Sequence, residues 1–262
     1  MGDPEPERPS ISGRKLTIWG FLILVAVYLV IIQGGGLLIG HGISEDDTFA
    51  TVGNVVRKMA IPIAASALFA IALATWLSWW PGIIHEKLRV RRWIWFIPVT
   101  FVLASLIVVN WPRLVDQEAG LVLVLLALTA LVGFTEELMF RGIGVLTLRN
   151  GGLSEFRVAL FSSLIFGAVH LTNAIGAGAK SLLQAAVVAV SGYFLYLMRR
   201  VSGVIWVPMA VHGLWDFALL SSQLGVGGAT YIPSVIAIPV QVVIVIVLLV
   251  RRKKIELDQL PA

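Results

Sequence analysis

The chain is built from long apolar runs joined by short polar connectors. Eight runs read as membrane-crossing helices: residues 17–39, 59–80, 93–110, 119–149, 157–172, 180–198, 203–222 and 231–250. A helix needs about 20 predominantly apolar residues to cross a hydrocarbon core. The fourth run is the longest and carries charges in its second half, while the fifth is short and is followed by Gly176 and Gly178. The pattern predicts an all-α polytopic membrane protein of about eight transmembrane helices. Residues 1–13 contain Pro, Glu and Ser without apolar periodicity and read as a disordered cytoplasmic tail. Residues 14–254 read as a single transmembrane domain and residues 255–262 as a short cytoplasmic tail. The run from Ile18 to Leu38 is too long for a signal-peptide core and has no clear small-residue cleavage site, so it reads as a retained first span.

Composition agrees with this pattern. Of 262 residues, 58% are hydrophobic and 13% charged, with a mean hydropathy of +0.91. A soluble domain carries about twice that charged fraction. The absence of Cys removes disulfides, thiolate zinc sites and a cysteine nucleophile together. The net charge of +5 does not point to nucleic acid, because the basic residues gather at the ends of the apolar runs. With the N-terminus inside, 15 of the 20 Lys and Arg residues fall on the cytoplasmic side. Only Arg57, Lys58, Arg113 and Lys180 fall outside, and Arg141 lies within a span. This asymmetry predicts an N-in, C-in arrangement. Trp19, Trp79, Trp80, Trp93, Trp95, Trp111 and Trp206 fall near the expected interfaces, as an aromatic belt would place them. The expected location is an integral, multi-pass position in a membrane, the cell membrane if the source is prokaryotic, with lipid as the surrounding partner.

Within this apolar background stand Glu136, Glu137, Arg141, His170, His212 and Asp216. Ionisable groups at membrane depth are costly and default to a functional reading. Glu136 lies 13 residues before Arg149, His170 lies 13 after Arg157, and His212 lies 12 after Arg200. At 1.5 Å per residue, these counts put all three about 18–20 Å from the cytoplasmic ends of their helices. Three residues on three helices are therefore expected to meet. Glu137 and Arg141 are four apart with the acid first, the favourable order for an intrahelical pair. Their first reading is structural: Arg141 keeps Glu137 ionised and fixes its rotamer. Glu136 points about 100° away from Glu137 around the helix and is left as the candidate general base. His212 and Asp216 are also four apart and share a face. Phe166, one turn before His170, reads as chamber wall, as does Trp215. Asn173 either lines the chamber or caps the end of its helix. Ser162, Ser163 and Thr135 show no convincing partner base. His41 and His85 fall in loops and carry no assignment.

The series Glu136-Glu137-x-x-x-Arg141, Phe166-x-x-x-His170 and His212-x-x-x-Asp216 resembles the motifs of the CPBP family. These are the CAAX prenyl proteases of the Ras-converting type and the bacteriocin-processing, or Abi, proteins. The resemblance covers about residues 119–222, as a catalytic core from the fourth to the seventh helix. It implies an intramembrane endopeptidase whose chamber opens toward the cytoplasmic leaflet. It also implies that Glu136 and His170 activate water, that His212 and residue 216 stabilise the oxyanion, and that Glu137 and Arg141 support the first helix. The eukaryotic-type pattern has Asn at the last position, where this chain has Asp216. An ionised carboxylate accepts hydrogen bonds and cannot donate to an oxyanion. Asp216 must therefore be protonated, orient His212 or bind metal.

Two mechanisms fit these residues. In one, Glu136 deprotonates water and no cofactor is required. In the other, His170, His212 and a carboxylate, Glu136 or Asp216, hold zinc with an open position for water. The glutamate version is preferred, since there is no HExxH and the donors lie on three helices. The expected substrate is a peptide or a lipid-modified protein, with no nucleic-acid partner. The chain itself has no prenylation box, because it has no Cys. Two other classes compete: a transporter or proton-relay protein using the same buried groups, and a catalytically silent scaffold. Inverted repeats and broken helices, which favour a transporter, are not evident in the sequence.

Overall fold

The computed structural model describes residues 13–173, 180–226 and 232–256. Most of the N-terminal tail, Gly176 and Gly178, and the last six residues lie outside them. Among the described residues the fold is all-helical, and only isolated bridges, His85 with Val204 and Val90 with Glu256, show extended pairing. The helices are α1 (Ile18–Ile39), α2 (Val52–Leu77), short α3 (Trp80–Ile84), α4 (Arg92–Val108), short α5 (Trp111–Val115), α6 (Ala119–Asn150), α7 (Glu155–Asn173), α8 (Lys180–Ser202), α9 (Trp206–Leu220) and α10 (Ile232–Val250). A helix occupies each of the eight apolar runs. Four of them, α1, α2, α6 and α7, are long and apolar enough to cross a membrane by length and composition. α9 has only 15 residues, and α8 ends on Arg199 and Arg200.

Helix α6 is the centre. It packs most extensively on α9, while α7 packs on α8 and α9 also rests on α4. The α6–α9 crossing is a backbone contact. A Cβ built on Gly133 would sit 2.4 Å from the Met209 carbonyl oxygen and 2.7 Å from the Gly213 nitrogen; one on Gly213 would sit 2.8 Å from the Thr129 carbonyl oxygen. A side chain at either position must push the helices apart, because backbone atoms cannot rotate away. Overpacking of a close-packed interior costs about 1–3 kcal/mol. Gly133→Val is thus expected to lower the thermal midpoint in detergent and to weaken any activity that depends on the crossing. An unchanged midpoint would show that the helices part freely here.

Cations at the expected cytoplasmic ends do more than set topology. Arg199 and Arg200 are buried, not solvated. Arg149 bridges Glu86 (2.9 Å) and Glu155 (2.8 Å), and Arg200 pairs with Glu256 (2.7 Å). Arg199 Nη2 donates to the Gly82 carbonyl at 2.7 Å. These bonds tie α3, the loop after it and Glu256 onto the ends of α6, α7 and α8. Burial by itself would raise the Glu86 carboxyl, but the guanidiniums of Arg199 and Arg149 outweigh it and hold it below its ordinary value of 4.5. The folded value lies below the unfolded one. The stabilisation is therefore complete above about pH 4.5 and is lost as pH falls through the folded value. Glu86→Gln is expected to flatten the acid limb of the thermal midpoint measured from about pH 6 down to about pH 2. An acid limb unchanged from wild type would locate that sensitivity elsewhere.

Two expectations are corrected. Trp79 is 1% exposed and belongs to the core, whereas Trp19 is 78% exposed. The depth of His212 was counted from Arg200, but Arg200 belongs to α8 and α9 begins only at Trp206. The α8–α9 connection is itself covered: Glu86 N donates to the Gly203 carbonyl (2.9 Å) and Arg89 Nη2 to the Val201 carbonyl (3.1 Å). Gly203 holds φ +77° there, a left-handed conformation that glycine adopts without steric cost. A sunken start to α9 delivers His212 to the site with half the helix that the count assumed.

Candidate active site

Inside α6 the segment Glu137–Gly144 is a π turn, and every residue of it is buried. Such a turn carries an extra residue per turn, re-aims side chains and is frequent at functional sites. It holds the charged pair: Arg141 Nη1 donates to Glu137 Oε1 at 3.0 Å, with both side chains fully buried. The guanidinium carbon lies 3.9 Å from the centre of the Phe166 ring, a cation–π contact in an apolar setting. Room for it comes from α8, where a Cβ on Gly192 would meet Arg141 Nη2 at 3.0 Å.

The same oxygen of Glu137 receives His212. His212 Nδ1–H donates to Glu137 Oε1 at 3.0 Å, across the α6–α9 crossing. The other ring nitrogen, Nε2, lies 3.5 Å from Asp216 Oδ2 and 3.8 Å from Glu136 Oε2. Glu136 Oε2 is buried and has no hydrogen-bond partner among the described residues. One imidazole is therefore held from behind by Glu137 and flanked in front by two carboxyl groups.

On α7, His170 Nδ1–H donates to the Phe166 carbonyl at 2.8 Å. A carbonyl can only accept, so in the neutral imidazole the lone pair is on Nε2. The edge-on contacts of the Phe166 ring, at 5.1 Å to His170 and 5.8 Å to His212, bring both imidazoles to one aromatic side chain. Phe166 is a partition between them and a floor for Arg141. Trp215 is buried and packs on Phe101 at 5.4 Å, as core. Ser162 and Ser163 both donate to the Ala159 carbonyl, which accounts for their hydroxyls without a base.

The structure thus gathers Glu136, Glu137, Arg141, Phe166, His212 and Asp216 directly, and His170 through Phe166. Asn173, at the end of α7, accepts from Gln33 Nε2 at 3.1 Å and donates to Gln184 Oε1 at 3.1 Å. Sequence reading missed the Glu137–His212 bond and Gln33. The signal for Gln33 was available, since it is the one amide in the first apolar run.

His170, His212, Glu136 and Asp216 were also the candidate zinc donors. Among the described residues no group of three or more His, Asp and Glu is arranged to hold a metal ion. His212 Nδ1 is committed to Glu137 and His170 Nδ1 to a carbonyl. Both bonds leave Nε2 open, an arrangement that metal-ligating histidines share, and the steps below are written through the side chains alone.

Residues 118–218 match the family model Rce1-like, described as type II CAAX prenyl endopeptidase Rce1-like. The match spans all the site residues on α6, α7 and α9 just described. No curated protein and no solved structure matches the chain. The Rce1-like family is a family of membrane-embedded proteases. The segment from residue 118 to 218 is therefore similar to an Rce1-like domain, in keeping with the CPBP resemblance carried by its motifs.

Proposed function

We propose that the protein is an intramembrane endopeptidase in which Glu136 activates water against a peptide bond near the membrane. The observation that supports this most is the gathering of Glu136 and Asp216 about His212 Nε2, with Glu136 Oε2 buried and unpartnered among the described residues. In this reading a water lies between Glu136 and His170 Nε2, which accepts one of its hydrogen bonds. Glu136 takes the proton as the water oxygen bonds to the scissile carbonyl carbon, and the carbonyl electron pair moves to oxygen. The Nε2–H of protonated His212 donates to that oxyanion. Collapse restores the carbonyl and breaks the C–N bond, and Glu136 returns the proton to the leaving amine. Glu137 and Arg141 touch no substrate; they hold His212. Asp216 orients the Nε2 side of the ring, a role open to it in either protonation state.

The proposal includes eight spans with both termini inside, and a chamber reached from the cytoplasmic leaflet. The substrate is a peptide or a lipid-modified protein. The test is cleavage by the detergent-purified protein of three probes: a farnesylated peptide ending in a CAAX box, its unprenylated form, and an apolar leader peptide. Zinc is measured by elemental mass spectrometry in wild type and His170→Ala. Cleavage without stoichiometric metal is expected. About one zinc per chain, lost in the variant, would replace the glutamate mechanism by the metal one. Folded protein that cleaves none of the probes would overturn the endopeptidase reading.

A further inference from the structure

A polar relay joins α1 to the end of α7 and the N-terminal part of α8. Gln33 Nε2 donates to Thr172 Oγ1 at 3.0 Å and to Asn173 Oδ1 at 3.1 Å. Thr172 Oγ1 in turn donates to the Val169 carbonyl at 2.7 Å, and Asn173 Nδ2 donates to Gln184 Oε1 at 3.1 Å. The directions are mutually forced. The Thr172 proton is spent on a carbonyl, so its oxygen must accept. Asn173 Nδ2 donates to Gln184, and Asn173 Oδ1, an amide oxygen, can only accept. Only a donor serves at position 33. Gln33 sits in the π turn Val30–Gly34, where the helix is locally rewound within an otherwise apolar run. An amide there is costly unless it finds partners.

The two acceptors belong to one short element. His170–Asn173 is a 3₁₀ turn that ends α7, and His170 is its first residue. The other end of His170 is held by Phe166, through its carbonyl and through its ring. The α1 helix reaches that ring as well: Tyr28 lies edge-on to Phe140 at 6.1 Å, and Phe140 edge-on to Phe166 at 5.3 Å. All of α1 lies outside the matched stretch 118–218.

We infer that Gln33 is a positioning residue for His170: its amide pins the 3₁₀ turn that ends α7 and so sets where the imidazole presents Nε2. The inference rests on the reading of His170 as a water-positioning group. It makes α1 a working part of the site, contributed by a segment beyond the matched stretch.

The test uses full-length protein labelled with ¹⁵N-histidine in detergent micelles. The four histidines give separable ring signals, assigned by replacing each in turn. Gln33→Met keeps size and apolar fit while removing the donor. It is expected to shift the His170 ring signals, leave those of His41 and His85 in place, and keep the wild-type thermal midpoint. On a cleaved probe, kcat should fall about 10- to 100-fold with KM unchanged, the scale of a small misplacement of a reacting group. Thr172→Val should act in the same direction, while Thr172→Ser, which keeps the acceptor, should not. Unmoved His170 signals overturn the inference, as does equal loss in both Thr172 variants. Wild-type protein that cleaves no probe overturns the endopeptidase reading instead, and the histidine signals then decide the role of Gln33 by themselves.

Discussion

Glu136→Gln is expected to abolish cleavage while leaving the protein folded. The substitution exchanges one carboxylate oxygen for an amide nitrogen of nearly the same size, so the packing around α6 is preserved. What disappears is the carboxylate assigned to take a proton from water beside His212. General-base catalysis contributes typically 10²- to 10⁴-fold, and the loss should be at least of that order. The melting profile is expected to match wild type, because Glu136 Oε2 makes no hydrogen bond among the described residues that the change would break. Wild-type-like turnover by Glu136→Gln would refute the assignment of the base. Glu137→Gln should look different. It removes the counter-charge of Arg141 and the acceptor of His212 Nδ1 in one step. Stability and turnover should therefore fall together.

Arg141→Met should produce the largest loss of stability. Arg141 and Glu137 are both fully buried, and Glu137 keeps a single carboxylate oxygen engaged by two donors. Deleting the cation leaves a buried carboxylate with only His212 against it. Breaking a buried pair by removing one partner costs about 3–5 kcal/mol. The Phe166 ring also loses the guanidinium stacked on it at 3.9 Å. For a chain of this size the midpoint should drop by on the order of 10 °C. The double variant Glu137→Gln/Arg141→Met removes both charges and is expected to regain most of that loss. It should nonetheless stay impaired in catalysis, because His212 no longer has its anionic anchor. A single variant as stable as wild type, or a double variant no more stable than the single, would count against the pairing as the source of stability.

Much of this architecture could be read from residue order. Apolar runs set the helices, and the spacing of Glu137 and Arg141 set their pairing, because both depend on local periodicity alone. Glu136, His170 and His212 were legible as polar residues on three separate apolar runs, but the depth count for His212 was not sound, because its helix begins only at Trp206. Contacts between runs were not legible. Nothing in the local pattern distinguishes a glycine that admits another backbone from one that ends a helix, so the Gly133–Gly213 crossing stayed hidden. The π turn at Glu137–Gly144 has no propensity signature. Basic residues at helix ends look alike whether they face lipid headgroups or, as Arg199 and Arg200 do, sink among Glu86, Glu155 and Glu256. The start of α9 was misplaced for the same reason: Arg200 marked an end in charge, but the chain turns back at Gly203.

The α6–α9 crossing has a consequence for how the site tolerates change. Main-chain atoms of the two helices touch with no side chains between them, so the spacing between the acids of α6 and the imidazole of α9 is set by a hard-walled ruler. Cores padded by Leu or Met drift by fractions of an ångström as their rotamers adjust. A ruler made of amide groups has no such give. Residues elsewhere on these two faces can therefore vary, and the surrounding solvent can swell or thin, while the carboxyl-to-imidazole distance holds.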